Sequence, residues 1–255
     1  MAFLYLVRHG QAGERILTGD GRSDSFGVER SYDVLSDRGH RQAAATGRSL
    51  ARRKAPGASV PVLSGPLSRQ QDTAAHVAEE LGSEPPVVDE AWREFDTDSV
   101  VGPWLAANPD VAERMQRLVD APSDENRRAL SRLTGSMLED AMAWWVDQPD
   151  FPEFRAQVLG GLDAAADIAR AEGTAVTVTS AGVIALCVVE SSGVPVQRWP
   201  TVAGRLFTAS VSLFRVRDRS GRQDGHHGVE LLSFNEHAHL DEPDADGRRP
   251  LRRFS

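Results

Sequence analysis

One cysteine occurs in the 255 residues, Cys187, and it lies inside the apolar run VIALCVV. Neither an intrachain disulfide framework nor a cysteine metal cluster can be built from it, and the expected compartment is the cytosol. Positive charge is also scarce: 29 Lys and Arg face 37 Asp and Glu, a net charge of −8. Such a surface repels nucleic acid and anionic membranes, so neither is expected as a partner, and any phosphate site has to be a local basic pocket. Long apolar runs are missing as well. The opening MAFLYLV meets Arg8 and His9 after only seven residues, without the basic start or small-residue cleavage site expected of a signal peptide. No run approaches the roughly 18 to 20 apolar residues that span a bilayer.

What remains is a chain with 40% hydrophobic residues, enough for the core of one large domain. FLYLV (3–7) reads as a buried strand that breaks at a polar RHG. Residues 11–35 are rich in Gly, Ser and Asp without a period and read as a long loop, after which Ser36 is placed to cap a helix running to about residue 54. Arg52, Arg53 and Lys54 at its end are expected to complement its dipole. VPVLS (60–64) is a second strand, and PLSRQQDTAAHVAEELG (66–82) a helix with Leu67, Ala74, Val77, Ala78 and Leu81 on one face before a terminal glycine.

From 102 to about 172 the signals are helical, interrupted by Asn108-Pro109, Pro122, Pro149 and Pro152, and a helical insertion is expected over about 102–150. Strand and helix return at 174–192, and LFTASVSLFRV (206–216) and VELLSF (229–234) read as late strands joined by a polar turn. The alternation predicts an α/β three-layer sandwich, with a mostly parallel central sheet and helices on both faces. Residues 1–240 form a single domain in this reading, and 241–255 form a polar tail, surface-bound or mobile. In such sheets ligands bind beyond the carboxyl ends of the strands, which singles out RHG, SGPLSR and TSAG.

At the first strand end, Gly10 permits close backbone approach, Arg8 offers a fork of donors, and His9 is a candidate nucleophile or base. RHG alone is equally compatible with a satisfied histidine and a surface ion pair. Three later motifs shift that balance: LSDRGHRQA (35–43), SGPLSRQQDTA (64–74) and AWREFDTD (91–98). Together with LVRHGQA and VTVTSAGVI, this ordered set resembles the histidine phosphatase superfamily, with its phosphoglycerate mutase-like fold, from residue 3 to about 240. The resemblance implies a phosphohistidine mechanism with His9 as nucleophile, Arg8 and Arg69 as phosphate clamps and Glu94 as proton donor to the leaving group. Gly10, Gln11 and Ala181 would adjoin the substrate. Asp96 and Asp98 are the alternative carboxylates, against a reading as solvated loop residues.

Simple electrostatics fits those roles. Two guanidinium groups can hold a phosphomonoester bidentately, and their charge keeps the His9 nitrogen unprotonated, whereas a bound phosphate would raise the pKa of Glu94 so that it keeps its proton. No metal or other cofactor is needed in this reading.

The departure lies at Ser180, where the family pattern implies a second histidine that donates to the phosphoryl group. A lost donor of this kind typically costs about 100- to 1000-fold in rate, and the serine hydroxyl can replace it in part. Ser180 as a nucleophile in its own right is disfavoured because Val178 stands where the G-x-S-x-G elbow needs its first glycine. The resulting expectation is a phosphatase acting on a small phosphorylated substrate. A phospho-ligand or inorganic phosphate binding protein of the same fold is the alternative, with mutase or serine hydrolase activity ranked below both. A homodimer is left open.

Several signals carry less. His226 and His227 are adjacent and diverge, while His237 and His239 could share a strand face, but no third metal ligand is evident, and any of the four could stand in for the missing histidine. GDGRSD (19–24) lacks the P-loop lysine, and the resemblance to the family, in which SFG and a YD pair follow RHGQA closely, implies that residues 13–24 are an insertion before SFG and the pair Tyr32-Asp33, expected near the pocket mouth. Trp144 and Trp145 are read as core residues, with a lid as the alternative.

Overall fold

The computed structural model describes residues 1–13, 33–217, 228–241 and 251. Six strands form one sheet: β1 (Ala2–Arg8), β2 (Val62–Ser64), β3 (Val87–Val88), β4 (Thr174–Thr179), β5 (Val211–Val216) and β6 (Val229–Glu236), in the order β3-β2-β4-β1-β5-β6. The pairs β2·β3, β2·β4 and β1·β4 are parallel, and β5 alone runs against its neighbours β1 and β6. The predicted mostly parallel α/β sheet is therefore present, with its antiparallel strand next to β1.

Strand β1 shows why two helical layers are needed. Ala2, Leu4 and Leu6 enter the larger core, shared with α6 (Phe151–Glu172) and α7 (Ala181–Ser192). Val7, on the opposite face, packs with Val62, Val176 and Val178 under residues of α1 (Asp37–Ala51) and α2 (Ser68–Leu81). Strands apolar on both faces have to be covered on both.

The expected caps are largely present. Ser36 accepts from the Gly39 amide, and Gly82 ends α2 in the left-handed conformation at φ 61°. Between β3 and α6 lie α3 (Thr97–Ala107), α4 (Pro109–Asp120) and α5 (Asp124–Trp145), separated at Asn108-Pro109 and around Pro122. Trp145 is 5% exposed and packs against Phe95, Phe151, Phe154 and Trp199, so its role is core packing. A short helix, α8 (Trp199–Ala203), brings Trp199 into that cluster.

Three expectations are corrected. The strand expected from 206 starts at Val211, because Ala209 adopts φ 60° and turns the chain before it. Helix α1 stops at Ala51, and the basic residues beyond it do not serve its own carbonyls alone: Arg53 pairs with Glu236 at 2.7 Å, and Lys54 Nζ donates to Leu81 O at 2.6 Å, capping α2. His237 and His239 share no strand face, since β6 ends at Glu236 and His239 lies in the following turn of 3-10 helix. Of the tail, Leu251 is buried against Ala45, Ala209 and Leu240. Residues 242–250 and 252–255 of the tail, residues 14–32 of the loop, and His226 and His227 lie outside the described residues.

Candidate active site

The sheet brings the three marked strand ends together. Arg8 ends β1 opposite Thr179 of β4, and the His9 amide donates to Thr179 O at 2.9 Å, so His9 and Ser180 leave adjacent strands side by side. Gly10 then passes under the start of α1, where a Cβ would lie 2.5 Å from Gly39 O, and only glycine fits. Its amide donates to Thr73 Oγ1 at 3.0 Å, and that of Gln11 to Gln42 Oε1 at 2.7 Å, so both backbone donors of the loop are engaged by the protein. What Gln11 can offer a ligand is its side chain.

His9 is 3% exposed. Its Nδ1 lies 2.7 Å from Gly10 O, and because a carbonyl only accepts, Nδ1 carries the hydrogen. The lone pair of a neutral ring is therefore on Nε2, which accepts from Arg69 Nε at 3.2 Å. Burial, then the charges of Arg69 and Arg8, hold the His9 pKa well below the ordinary imidazole value. Arg69 comes from the first turn of α2 and is further fixed by Asp33, at 2.9 Å from Nη1; Asp33 also accepts from the Ser68 amide at 3.0 Å. Arg8 is buried with Nη1 donating to Leu206 O.

Glu94 approaches from the other side, after a short 3-10 turn that follows β3. Its carboxylate accepts from Gly182 N at 2.9 Å and from Phe95 N at 3.2 Å, at the start of α7. Burial raises its pKa, opposed first by the Gly182 N–H bond and then by Arg69, the Phe95 N–H and Arg8. The site thus brings together an imidazole held away from its charged form and a carboxyl pushed toward its protonated form. Asp96 is the cap of α3, accepting from Asp98 N, and both residues are exposed. Ser180 is 2% exposed and caps α7 without a side-chain bond to the helix; its Oγ accepts from Gln70 Nε2 at 2.9 Å. Ala181 opens α7, so its position is set by the strand-to-helix turn.

Neither described candidate for a replacement histidine is available for that place. His237 Nδ1 is 2.7 Å from Asn235 O and its ring stacks on Phe207, with centroids 4.2 Å apart. His239 Nε2 lies 3.1 Å from Ala209 O and 3.0 Å from Thr46 Oγ1, buried in the packing between α1 and the last turn.

A family model described as the histidine phosphatase superfamily (branch 1) matches residues 4–226. The chain belongs to this superfamily. Solved structures share the superfamily fold at low identity. Bacillus stearothermophilus YhfR is 18% identical with a TM-score of 0.56, covering 94% of this chain and 99% of its own. A phosphoserine phosphatase mutant from Entamoeba histolytica is 17% identical with a TM-score of 0.51, covering 94% and 100%. A phosphoglycerate mutase from Bacillus anthracis str. Sterne is 16% identical with a TM-score of 0.51, covering 92% and 93%. A comparison with curated proteins gives no match.

Among the residues that this histidine phosphatase fold gathers, sequence reasoning passed over Gln70, Thr73, Asp33 and Gln42. Thr73 and Gln70 lie in the quoted SGPLSRQQDTA, and Asp33 in the quoted Tyr32-Asp33 pair, so their motifs were visible although their partners were not. Gln42, wholly buried, had no signal beyond its place in LSDRGHRQA; it joins Gln11 N to Thr208 Oγ1 and Leu251 O.

Proposed function

We propose that this protein hydrolyses a small phosphomonoester through a phosphohistidine on His9. The observation that carries the reading is the His9 tautomer: Nδ1 is tied to Gly10 O, and Nε2 holds its lone pair toward Arg69. In the first step Nε2 attacks phosphorus, the P–O ester bond breaks, and Glu94 gives its proton to the departing alkoxide. In the second, a water oxygen attacks phosphorus, its proton returns to Glu94, and the P–N bond breaks to release inorganic phosphate. Arg8 and Arg69 hold the phosphoryl oxygens; for Arg69 this means exchanging its bond to His9 for one to substrate. The Ala181 amide at the start of α7 and the Ser180 hydroxyl add donors at the point where negative charge gathers. The crystallised Entamoeba relative is a complex with phosphoserine, which supports a small phosphorylated ligand.

Acid-labile phosphate should be trapped on wild type after rapid mixing with a generic phosphomonoester, and His9→Ala should abolish both the trapped phosphate and turnover. Turnover that survives in His9→Ala refutes the covalent route. Phosphate binding without turnover across a broad phosphoester panel would instead support the phospho-ligand binding protein, which the serine at position 180 makes the second reading.

A further inference from the structure

Gln70 follows Arg69 in α2 and is wholly buried. The geometry around it fixes which end of its amide is which. Leu67 N can only donate, so the amide atom 3.1 Å from it is oxygen; Trp92 O can only accept, so the atom 3.3 Å from it is nitrogen. The backbone at Gly65 closes against the oxygen end, where a Cβ would come within 2.2 Å of Oε1, so a side chain at that position would displace the amide. The nitrogen end therefore faces Ser180 Oγ at 2.9 Å as a donor, and the serine oxygen has to accept.

A hydroxyl that accepts through its lone pair still has one hydrogen to place. Ser180 makes no cap bond to α7, and no acceptor among the described residues takes that hydrogen. Its neighbour Thr179 behaves differently, spending its hydroxyl on Trp92 O at 2.7 Å. Ser180 stands between His9, which bonds Thr179 O, and Glu94, which bonds Gly182 N. We infer that Gln70 is a positioning residue that commits the Ser180 hydroxyl to donating its hydrogen to the phosphoryl group on its way to and from His9. This rests on the phosphoryl chemistry proposed above.

The test is a double-mutant cycle of Ser180→Ala and Gln70→Leu, read both as kcat and KM on a phosphomonoester and as the Kd of orthovanadate, which mimics the five-coordinate phosphorus. Ser180→Ala should lower kcat by about 100-fold, as for a single lost transition-state donor, with KM little changed. Gln70→Leu should lower kcat in the same direction, but should have no further effect once Ser180 is Ala. Vanadate affinity should show the same coupling. Gln70→Glu preserves the shape if Gln70→Leu fails to fold: an ionised carboxylate would take the serine hydrogen for itself, whereas a protonated one would donate to Ser180 as the amide does. Its deficit relative to wild type should shrink as pH falls, and that trend should vanish in the Ser180→Ala background. Independent, multiplying effects on both readouts, or a Gln70→Glu deficit that ignores pH, would overturn the assignment. So would a wild type that binds no vanadate. The covalent mechanism is judged separately, by turnover in His9→Ala.

Discussion

Gly182→Ala isolates the proton donor without touching it. The added methyl would lie 2.4 Å from Glu94 Oε1 and 2.8 Å from Phe95 Cε1, distances at which something has to move. The carboxylate is the mobile partner, so it is pushed off the Gly182 amide that it accepts from at 2.9 Å. A displaced general acid forfeits much of the roughly 100- to 10,000-fold that proton transfer contributes. Overpacking costs about 1 to 3 kcal/mol of stability, of which the better helix propensity of alanine in α7 returns up to about 1 kcal/mol. The protein should therefore fold and fail selectively. Alkyl phosphates, whose alkoxide needs a proton, should lose about 100-fold or more in kcat/KM. An aryl ester with a stable leaving anion, p-nitrophenyl phosphate, should lose less than about tenfold, because its departure asks little of the acid. Glu94→Gln should show the same selectivity. Equal losses on both ester types, in Glu94→Gln as well as in Gly182→Ala, would refute the placing of Glu94 as donor.

The remaining expectations concern the histidine and the tail. His9 should titrate, by its imidazole proton resonances, well below 6.5, and Arg69→Gln should shift it upward by removing the charge that acts on it more strongly than Arg8; an unchanged value would mean that Arg69 does not face the ring. Because the depressed pKa leaves the unfolded chain binding more protons, stability should fall as pH drops through 6.5 and level off below the folded-state pKa. The slope from His9 alone is at most about 1.4 kcal/mol per pH unit, and urea titrations of wild type and His9→Ala across that interval should differ by it. Leu251→Ala should cost about 2 kcal/mol, the low end for a buried leucine in a small cluster. Ending the chain before Leu251 should cost more, because the acceptor of Gln42 Nε2 at 2.7 Å is lost as well. Identical urea midpoints for full-length and shortened protein would show that the tail contributes nothing.

The parts of this protein that were legible in sequence are those set by neighbours along the chain. Strand β1 announces itself as five apolar residues that stop at Arg8; Ser36 and Gly82 mark helix ends by their own backbone preferences; Arg8, His9, Arg69, Glu94 and Ser180 lie in motifs at strand ends, where an α/β sheet places its ligands. Tertiary structure decided the partners. Gln70 reaches Ser180 across 110 residues and Gln42 reaches Leu251 across 209, contacts that no local pattern encodes. Likewise, Lys54 caps another helix rather than its own, and Ala209 breaks a strand that its apolar neighbours would otherwise continue. The reason is physical: periodicity and capping follow from the geometry of consecutive residues, whereas a buried polar atom must find whichever partner the packed chain delivers to it. At Ser180 that distinction settles its surroundings, because the sequence supplied a hydroxyl and the fold supplied the amide that sets its direction.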